Sequence, residues 1–378
     1  MPLANPPEIL VSEEAVTRRI DRIYDILDRA YGFLFATGRK EGHWSEVRST
    51  ALAGMCVDRL PSGNTEWSHC IRDWLEGQQL EDGAAKGSWG EEIWDTAMAL
   101  IALKAMGAHT NDPQLDIGLK WMASKYSVNG RGNWHDDPWE TSWALLAILK
   151  SGKVVSGVDV LAPTQWLATL QDSEGRIIAP QFTAYFIEIC HSLAKVDLEL
   201  PDSLIECVED AKNFLMRALS DSSPSILWTG EAWSNGQILW ILTDLKIFPF
   251  HDLGMADKTI NWFQDNQNPV DGHWEDAEDT ASALLGLLGL VQGLTALVEG
   301  ARQAREVVPG ELRRRIKRRS LEINSSMFSR DAEYGGMVIR ISPVKIRFLS
   351  YLGSALAAFA ALAGIWDFIT KHLIATKH

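Results

Sequence analysis

Cysteine is scarce and scattered in this chain: four residues among 378, at 56, 70, 190 and 207, with no Cys-x-x-Cys pair. That argues against a disulfide framework and a thiolate metal site, and reduced, mostly buried thiols in a cytosolic setting are expected. The N-terminal Met-Pro-Leu-Ala-Asn-Pro-Pro-Glu lacks a basic stretch followed by an apolar core, so no secretory leader is legible and the body is expected to fold in the cytoplasm. Basic residues are also in short supply over most of the length. Residues 302–378 carry 14 Lys and Arg against 6 Asp and Glu, which leaves 22 against 44 in residues 1–301. An acidic body argues against nucleic acid as its partner, while the basic tail suits an anionic surface.

What is present is a repeat. Gly272-His-Trp274 is followed by an acidic stretch, Glu275, Asp276, Glu278 and Asp279, and then by Thr280-Ala281 and an apolar run without Pro. Such a segment reads as a turn, a charged first turn and a buried helix. The layout recurs as Gly42-His-Trp44 with Thr50-Ala51, Gly87-Ser-Trp89 with Thr96-Ala97, and Gly132-Asn-Trp134 with Thr141-Ser142. It weakens at Gly175-Arg-Ile177 with Thr183-Ala184, and at Gly230-Glu-Ala-Trp233 with Asn235-Gly236. The period of about 45 residues marks a repeat architecture of six units. Inner helices are predicted to begin at Thr50, Thr96, Thr141, Thr183, Asn235 and Thr280, within three residues. Outer partners are predicted near 14–38, 66–77, 113–124, 161–170, 203–219 and 257–266. Short links favour antiparallel neighbours, and six hairpins can close into an all-α (α/α)6 toroid around a central funnel. The expected organisation is the toroid over 1–293, a basic linker or helix over 294–342, and a hydrophobic helical tail over 343–378.

The outer helices end in a second signature: Trp74-Leu75 with Gln79 and Gly83, Trp166-Leu167 with Gln171 and Gly175, and Trp262-Phe263 with Gln267 before Gly272. Together with the Gly-x-Trp turns, this resembles the Gln-Trp repeat of the terpene cyclase superfamily, over roughly residues 40–290. A Gln there can bond orphan backbone groups at a helix end while an indole packs over the turn. The resemblance implies a squalene-cyclase/prenyltransferase-like toroid. Protein prenyltransferase β-subunits hold zinc with Asp, Cys and His, and no Asp-x-Cys with a downstream His matches; the Gly-Cys-Gly-Glu-Gln run of thioester toroids is absent.

Asp276-Ala-Glu278-Asp279-Thr280-Ala281 resembles the Asp-x-Asp-Asp-Thr-Ala motif with which class II terpene cyclases protonate an alkene or epoxide, with Glu278 in the position of the donor Asp. The resemblance implies Glu278 as the acid, supported by Asp276 and Asp279. Protonating an alkene requires an acid held neutral by its neighbours, so clustered carboxyl groups are expected. The same spacing occurs in Glu92-Ile-Trp-Asp95-Thr96 and Asp137-Pro-Trp-Glu140-Thr141, which leaves open a plain capping role for these acids. No organic cofactor is implied. A divalent metal among Glu92, Asp95, Asp136, Asp137 and Asp276 is the open alternative, and His43, His135 and His273 are expected to join the same rim. The funnel wall is expected to be aromatic and to hold an isoprenoid or other lipid-like ligand, through Trp94, Trp139, Trp143, Phe182, Tyr185, Phe186, Trp233 and Trp240.

Residues 348–366 contain no charged residue and are just long enough to cross a bilayer core. Lys345 and Arg347 precede them, Lys371 and Lys377 follow, and six basic residues fill 313–319. A membrane anchor carrying a cytoplasmic body is expected from this pattern. Two functions fit: a class II terpene cyclase-like enzyme on a linear isoprenoid at the membrane, or a non-catalytic toroid that binds a lipid, peptide or partner domain there.

Overall fold

Residues that open each apolar run decide where the inner helices begin. The computed structural model describes residues 12–303, except 39–41, 45, 60–64, 128–131, 197 and 224, and beyond them two short paired strands. Outer helices α1 (Glu13–Thr37), α3 (Thr65–Gly77), α5 (Pro113–Ser124), α7 (Leu161–Ala168), α9 (Asp202–Ser220) and α11 (Leu253–Asn266) alternate with inner ones. The inner helices are α2 (Val47–Asp58), α4 (Ile93–Ala105), α6 (Pro138–Ser151), α8 (Pro180–Lys195), α10 (Ala232–Asp244) and α12 (Ala277–Gln303). Each inner helix starts three residues ahead of its Thr or Asn. The reason is that this residue reaches back from the end of the first helical turn to fasten the loop before it.

That fastening is the same six times. The backbone N–H of Trp44, Trp89, Trp134, Ile177 and Trp274 donates to the hydroxyl of Thr50, Thr96, Thr141, Thr183 and Thr280, at 2.9–3.2 Å. In hairpin five the Trp228 N–H donates to Asn235 Oδ1 at 3.2 Å. The indole N–H of Trp44, Trp89, Trp134, Trp228 and Trp274 then donates to a carbonyl near the end of the outer helix, on Leu34, Leu75, Met122, Leu215 and Phe263. Orphan carbonyls at a helix end are thereby satisfied inside the protein. Gln79, Gln171 and Gln267 tie the carbonyls of the turn residues Gly87, Gly175 and Gly272 to a backbone carbonyl on the following outer helix.

Hairpin five corrects the sequence reading. Its turn is built on Trp228, and Trp233 lies instead in the first turn of α10. Gly42, Gly87, Gly132, Gly175 and Gly272 all have φ between 65° and 95°. Ile226 occupies the corresponding position in hairpin five, so the glycine that marks the turn elsewhere is missing and Gly230 is not its equivalent.

Inner helices are buried nearly all round; α4 buries Ile93 and Thr96 through Leu103. Outer helices bury one stripe, as α9 does with Leu204, Ala211, Leu215 and Leu219. The ring closes between its first and last hairpins: Gln267 Nε2 donates to Ile26 O of α1 at 3.0 Å, and Cys56 Sγ of α2 to Ala281 O of α12 at 3.1 Å. Among the described residues the fold is all-α apart from two-residue strand pairs, β1 (Tyr126–Ser127) with β2 (Asn133–Trp134) and β3 (Glu333–Tyr334) with β4 (Met337–Val338).

Two compact units divide the chain, Met1–Pro309 and Gly310–His378, and α12 runs unbroken through Gly293. Over Ala277–Glu299, α12 is long and apolar enough to cross a membrane, and most of it is buried inside the toroid. The basic run 313–319 and the apolar segment 348–366 lie outside the described residues.

Candidate active site at the acidic mouth

Because the six hairpins share one register, equivalent residues come to one level of the ring. Four residues before the Thr or Asn sit Glu46, Glu92, Asp137, Ala179, Glu231 and Asp276, ahead of the first helical residue. Two of them cap with their side chains. Asp137 Oδ1 accepts from the N–H of Trp139 at 2.7 Å and Glu140 at 3.1 Å. Asp276 Oδ1 accepts likewise from Glu278 at 2.7 Å and Asp279 at 2.9 Å. These bonds satisfy orphan N–H groups at the two helix N-termini.

Two residues before the Thr or Asn stand Arg48, Trp94, Trp139, Gln181, Trp233 and Glu278, and here the side chains meet. Trp94 lies 4.9 Å from Trp139 and 6.1 Å from Trp233, centroid to centroid, and Trp139 lies 5.1 Å from Trp233. Trp94 and Trp233 belong to hairpins two and five, half the ring apart, so the aromatic rings meet across the mouth rather than only lining it. Phe182 and Tyr185 of α8 extend the cluster, 5.3 and 5.9 Å from Trp139, and Trp143 packs 5.0 Å from Tyr185. Phe186 is fully buried and shows no ring contact among the described residues. Trp240 stands apart near the other end of α10, bonded to Asp244 at 2.8 Å and flanked by Arg59 and Lys150 at 5.4 and 5.5 Å.

Of the three motif acids, two are engaged by backbone. Asp276 caps its own helix, and Asp279 Oδ1 accepts from the Trp233 N–H at 2.8 Å, capping the neighbouring α10. Glu278 stands at the level of these aromatic residues, with 14% of its side chain exposed, and meets Arg48 Nε at 3.6 Å. Burial pushes its carboxyl up to about 7, Arg48 pulls it back, and the charge of Asp276 pushes further. Asp279 is also pushed up to about 7, first by burial and then by Asp276, against the pull of the Trp233 N–H. Asp95 is raised too, by burial against the pull of Arg48, whose Nε lies 3.5 Å away. A carboxyl that is half protonated near neutral pH can deliver or take a proton.

Sequence reasoning missed Arg48. Its guanidinium sits 4.1 Å from the Trp94 centroid and reaches both Glu278 and Asp95. The only signal was positional, since Arg48 holds the place in hairpin one that Glu278 holds in hairpin six. The histidines take other partners: His43 stacks on Trp74 at 4.7 Å, His273 on Phe33 at 4.6 Å, and His135 Nδ1 meets Glu140 at 2.6 Å. Among the described residues no three acidic, His or Cys side chains are grouped to share a metal ion. A separate cleft of about 430 Å³, lined by Asp58, His69, Arg72, Asp73, Glu76 and Met106, contains none of the motif acids.

No family model and no curated protein sequence matches this chain. Solved structures match it in fold. One is a variant of the type II terpene cyclase MstE from Scytonema in complex with merosterolic acid A, with TM-score 0.56, 14% identity, 73% of this chain and 99% of that chain covered. A second, of the same enzyme with geranylgeranyl dihydroxybenzoate, gives TM-score 0.55, 14% identity and coverage of 74% and 99%. A protein from Actinoplanes matches with TM-score 0.53, 15% identity and coverage of 71% and 99%. At such identities the shared property is architecture: the chain has the terpene cyclase-like α/α toroid fold.

Proposed function

We propose that this protein is a class II, protonation-initiated terpene cyclase-like enzyme acting on a linear isoprenoid, with Glu278 as the proton donor. The observation that carries the reading is the state of Glu278, mostly buried, beside an indole layer, with its carboxyl pushed up to about 7. Its proton adds to one carbon of an alkene, the π pair forms the new C–H bond, and a cation remains on the other carbon. The next alkene attacks that cation, the final cation loses a proton to water and the Glu278 carboxylate regains one from solvent, so the formula is unchanged and the reaction is an isomerisation. Faces of Trp94, Trp139 and Trp233 can stabilise such cations by about 0.5–2 kcal/mol each. Arg48 favours the carboxylate left behind, while burial keeps the acid protonated beforehand.

The isoprenoid class rests on the toroid and on the ligands of MstE, which was solved with geranylgeranyl dihydroxybenzoate and with merosterolic acid A. Incubation with linear polyprenyl compounds of several chain lengths, followed by a mass-spectrometric search for isomeric products, tests it; no product at any length sinks it. Membrane action is the part that rests on sequence alone, on the uncharged stretch 348–366 and its basic flanks. Full-length protein is expected to float with vesicles and resist high salt, because apolar insertion is not screened by salt.

A second reading, a toroid that binds a lipid or partner without turning it over, is favoured by the ring contacts across the mouth. Binding of polyprenyl compounds with no isomerisation would select it.

A further inference from the structure

One helical turn below the layer of Glu278, the inner helices carry a second set of equivalent residues: Leu52, Met98, Trp143, Tyr185, Gln237 and Ser282. The last four form a continuous arc over α6, α8, α10 and α12. Trp143 packs against Tyr185, and the Tyr185 hydroxyl donates to Gln237 Oε1. Helices α10 and α12 touch beside them, since a Cβ on Gly236 would fall 2.4 Å from the Ser282 carbonyl carbon. All four residues are at most 1% exposed.

Three of these four nevertheless keep a donor without a partner: Trp143 Nε1, Gln237 Nε2 and Ser282 Oγ. Buried donors are normally paired, because leaving one unmade forfeits its hydration for nothing. Unpaired indoles on the outer helices, Trp121, Trp166 and Trp262, stand singly on three different elements. On the inner helices Arg48 Nε, Trp94 Nε1 and Trp233 Nε1 also lack a hydrogen-bond partner at the level of Glu278, as does Thr295 Oγ1 farther along α12, while Trp143, Gln237 and Ser282 share one level directly below the acid. Nothing in that layer is charged, so a carboxylate or phosphate placed there has no counter-charge at its own level.

We infer that the layer of Trp143, Gln237 and Ser282 receives a neutral oxygen atom of the ligand, a carbonyl, ether or hydroxyl, one turn below Glu278. The inference rests on the reading that an isoprenoid occupies the funnel, and it narrows the substrate to an oxygenated chain rather than a hydrocarbon. Neither Trp143 Nε1 nor Ser282 Oγ holds another part of the protein. Trp143→Phe and Ser282→Ala therefore remove ligand contacts without removing an internal hydrogen bond.

The test uses the full chain and three C20 probes of one skeleton: geranylgeraniol, geranylgeranoic acid and the corresponding hydrocarbon, with dissociation constants measured by calorimetry in detergent. The alcohol is expected to bind about tenfold more tightly than either of the others. Each variant is expected to weaken the alcohol about three- to tenfold more than it weakens the hydrocarbon, and Ser282→Ala is expected to keep or raise the thermal midpoint of the ligand-free protein. Equal affinity for alcohol and hydrocarbon, tightest binding of the acid, no binding of any probe, or equal weakening of all three by the variants overturns the inference. The outcomes also separate it from the enzymatic reading. Selective alcohol binding with no isomerisation of any polyprenyl compound leaves the inference standing and removes the proton transfer, whereas turnover with no preference for oxygen does the reverse.

Discussion

Hairpins three and six carry the same spacing, Asp137-Pro-Trp139-Glu140-Thr141 and Asp276-Ala-Glu278-Asp279-Thr280, and the outer members of the pattern act alike in both. Asp137 and Asp276 cap their helices through one carboxylate oxygen, and Thr141 and Thr280 hold the preceding tryptophan N–H at 3.2 and 3.1 Å. Between them stands Trp139 in one hairpin and Glu278 in the other. At the first position the two aspartates cap their helices, whereas Glu46, Glu92 and Glu231 in the other hairpins do not, and at the third position Glu278 stands at the level of the aromatic rings. The motif is thus two devices laid over each other, a helix start and an inward-facing side chain, and only the second differs between these two hairpins.

The sharpest way to break this comparison is at the inward position. Glu278→Gln keeps the shape but cannot supply a proton, so turnover of a linear isoprenoid is expected to fall by about 10²–10⁴-fold. Trp139→Phe, which keeps an aromatic face, is expected to cost about tenfold at most. Single-turnover kinetics on both variants checks this, and an active Glu278→Gln protein removes Glu278 as the acid.

Stability against pH sharpens the same point. Glu278 is raised from 4.5 to about 7, so the folded protein holds this proton where the unfolded chain releases it. The resulting stability is fully present below pH 4.5 and is lost as pH rises to about 7, by up to about 3 kcal/mol. Urea unfolding from pH 4.5 to 8 is expected to show this decline in the wild type and a shallower one in Glu278→Gln, with the remaining slope carrying the contribution of Asp279. Trp139→Phe is expected to leave the slope unchanged.

The loop fastening makes no distinction between hairpins. Thr141→Val and Thr280→Val each leave a buried tryptophan N–H unmade and are expected to cost about 1–3 kcal/mol, equally in both, by chemical denaturation. The smallest effect belongs to the caps. Asp137→Ala and Asp276→Ala are expected to cost about 0.5–2 kcal/mol each. Asp276→Ala should in addition move the Glu278 titration down, because the Asp276 charge pushes that carboxyl up; NMR of the labelled carboxyl reads this directly.

Much of the fold was legible because each hairpin repeats its own start. Gly-x-Trp followed by Thr-small located four inner helices within three residues, and Gly175-Arg-Ile177 with Thr183 a fifth, since the glycine supplies a positive φ and the Thr holds the turn. Hairpin five was legible only in part. With Ile226 where the glycine belongs, Gly230 and Trp233 offered a competing alignment, and only the bond from the Trp228 indole to Leu215 settles which tryptophan closes the loop. The candidate acids were legible for a similar reason, as a pattern of charge before Thr-Ala. Their division of labour was not, because Asp276 and Asp279 differ in which helix they cap, and Asp279 reaches a backbone N–H in another hairpin.

Local pattern alone therefore determined six helical hairpins, their starts, and the level at which acids and aromatics gather, because turn chemistry and helical period act over a few residues. Whether those residues become a site depended on ring closure. It brings Arg48 of hairpin one to Glu278 of hairpin six, presses Trp94 toward Trp233 across the mouth, and excludes enough water to raise a glutamic acid to about 7. Desolvation and long-range pairing belong to the assembled ring and have no counterpart in any single repeat.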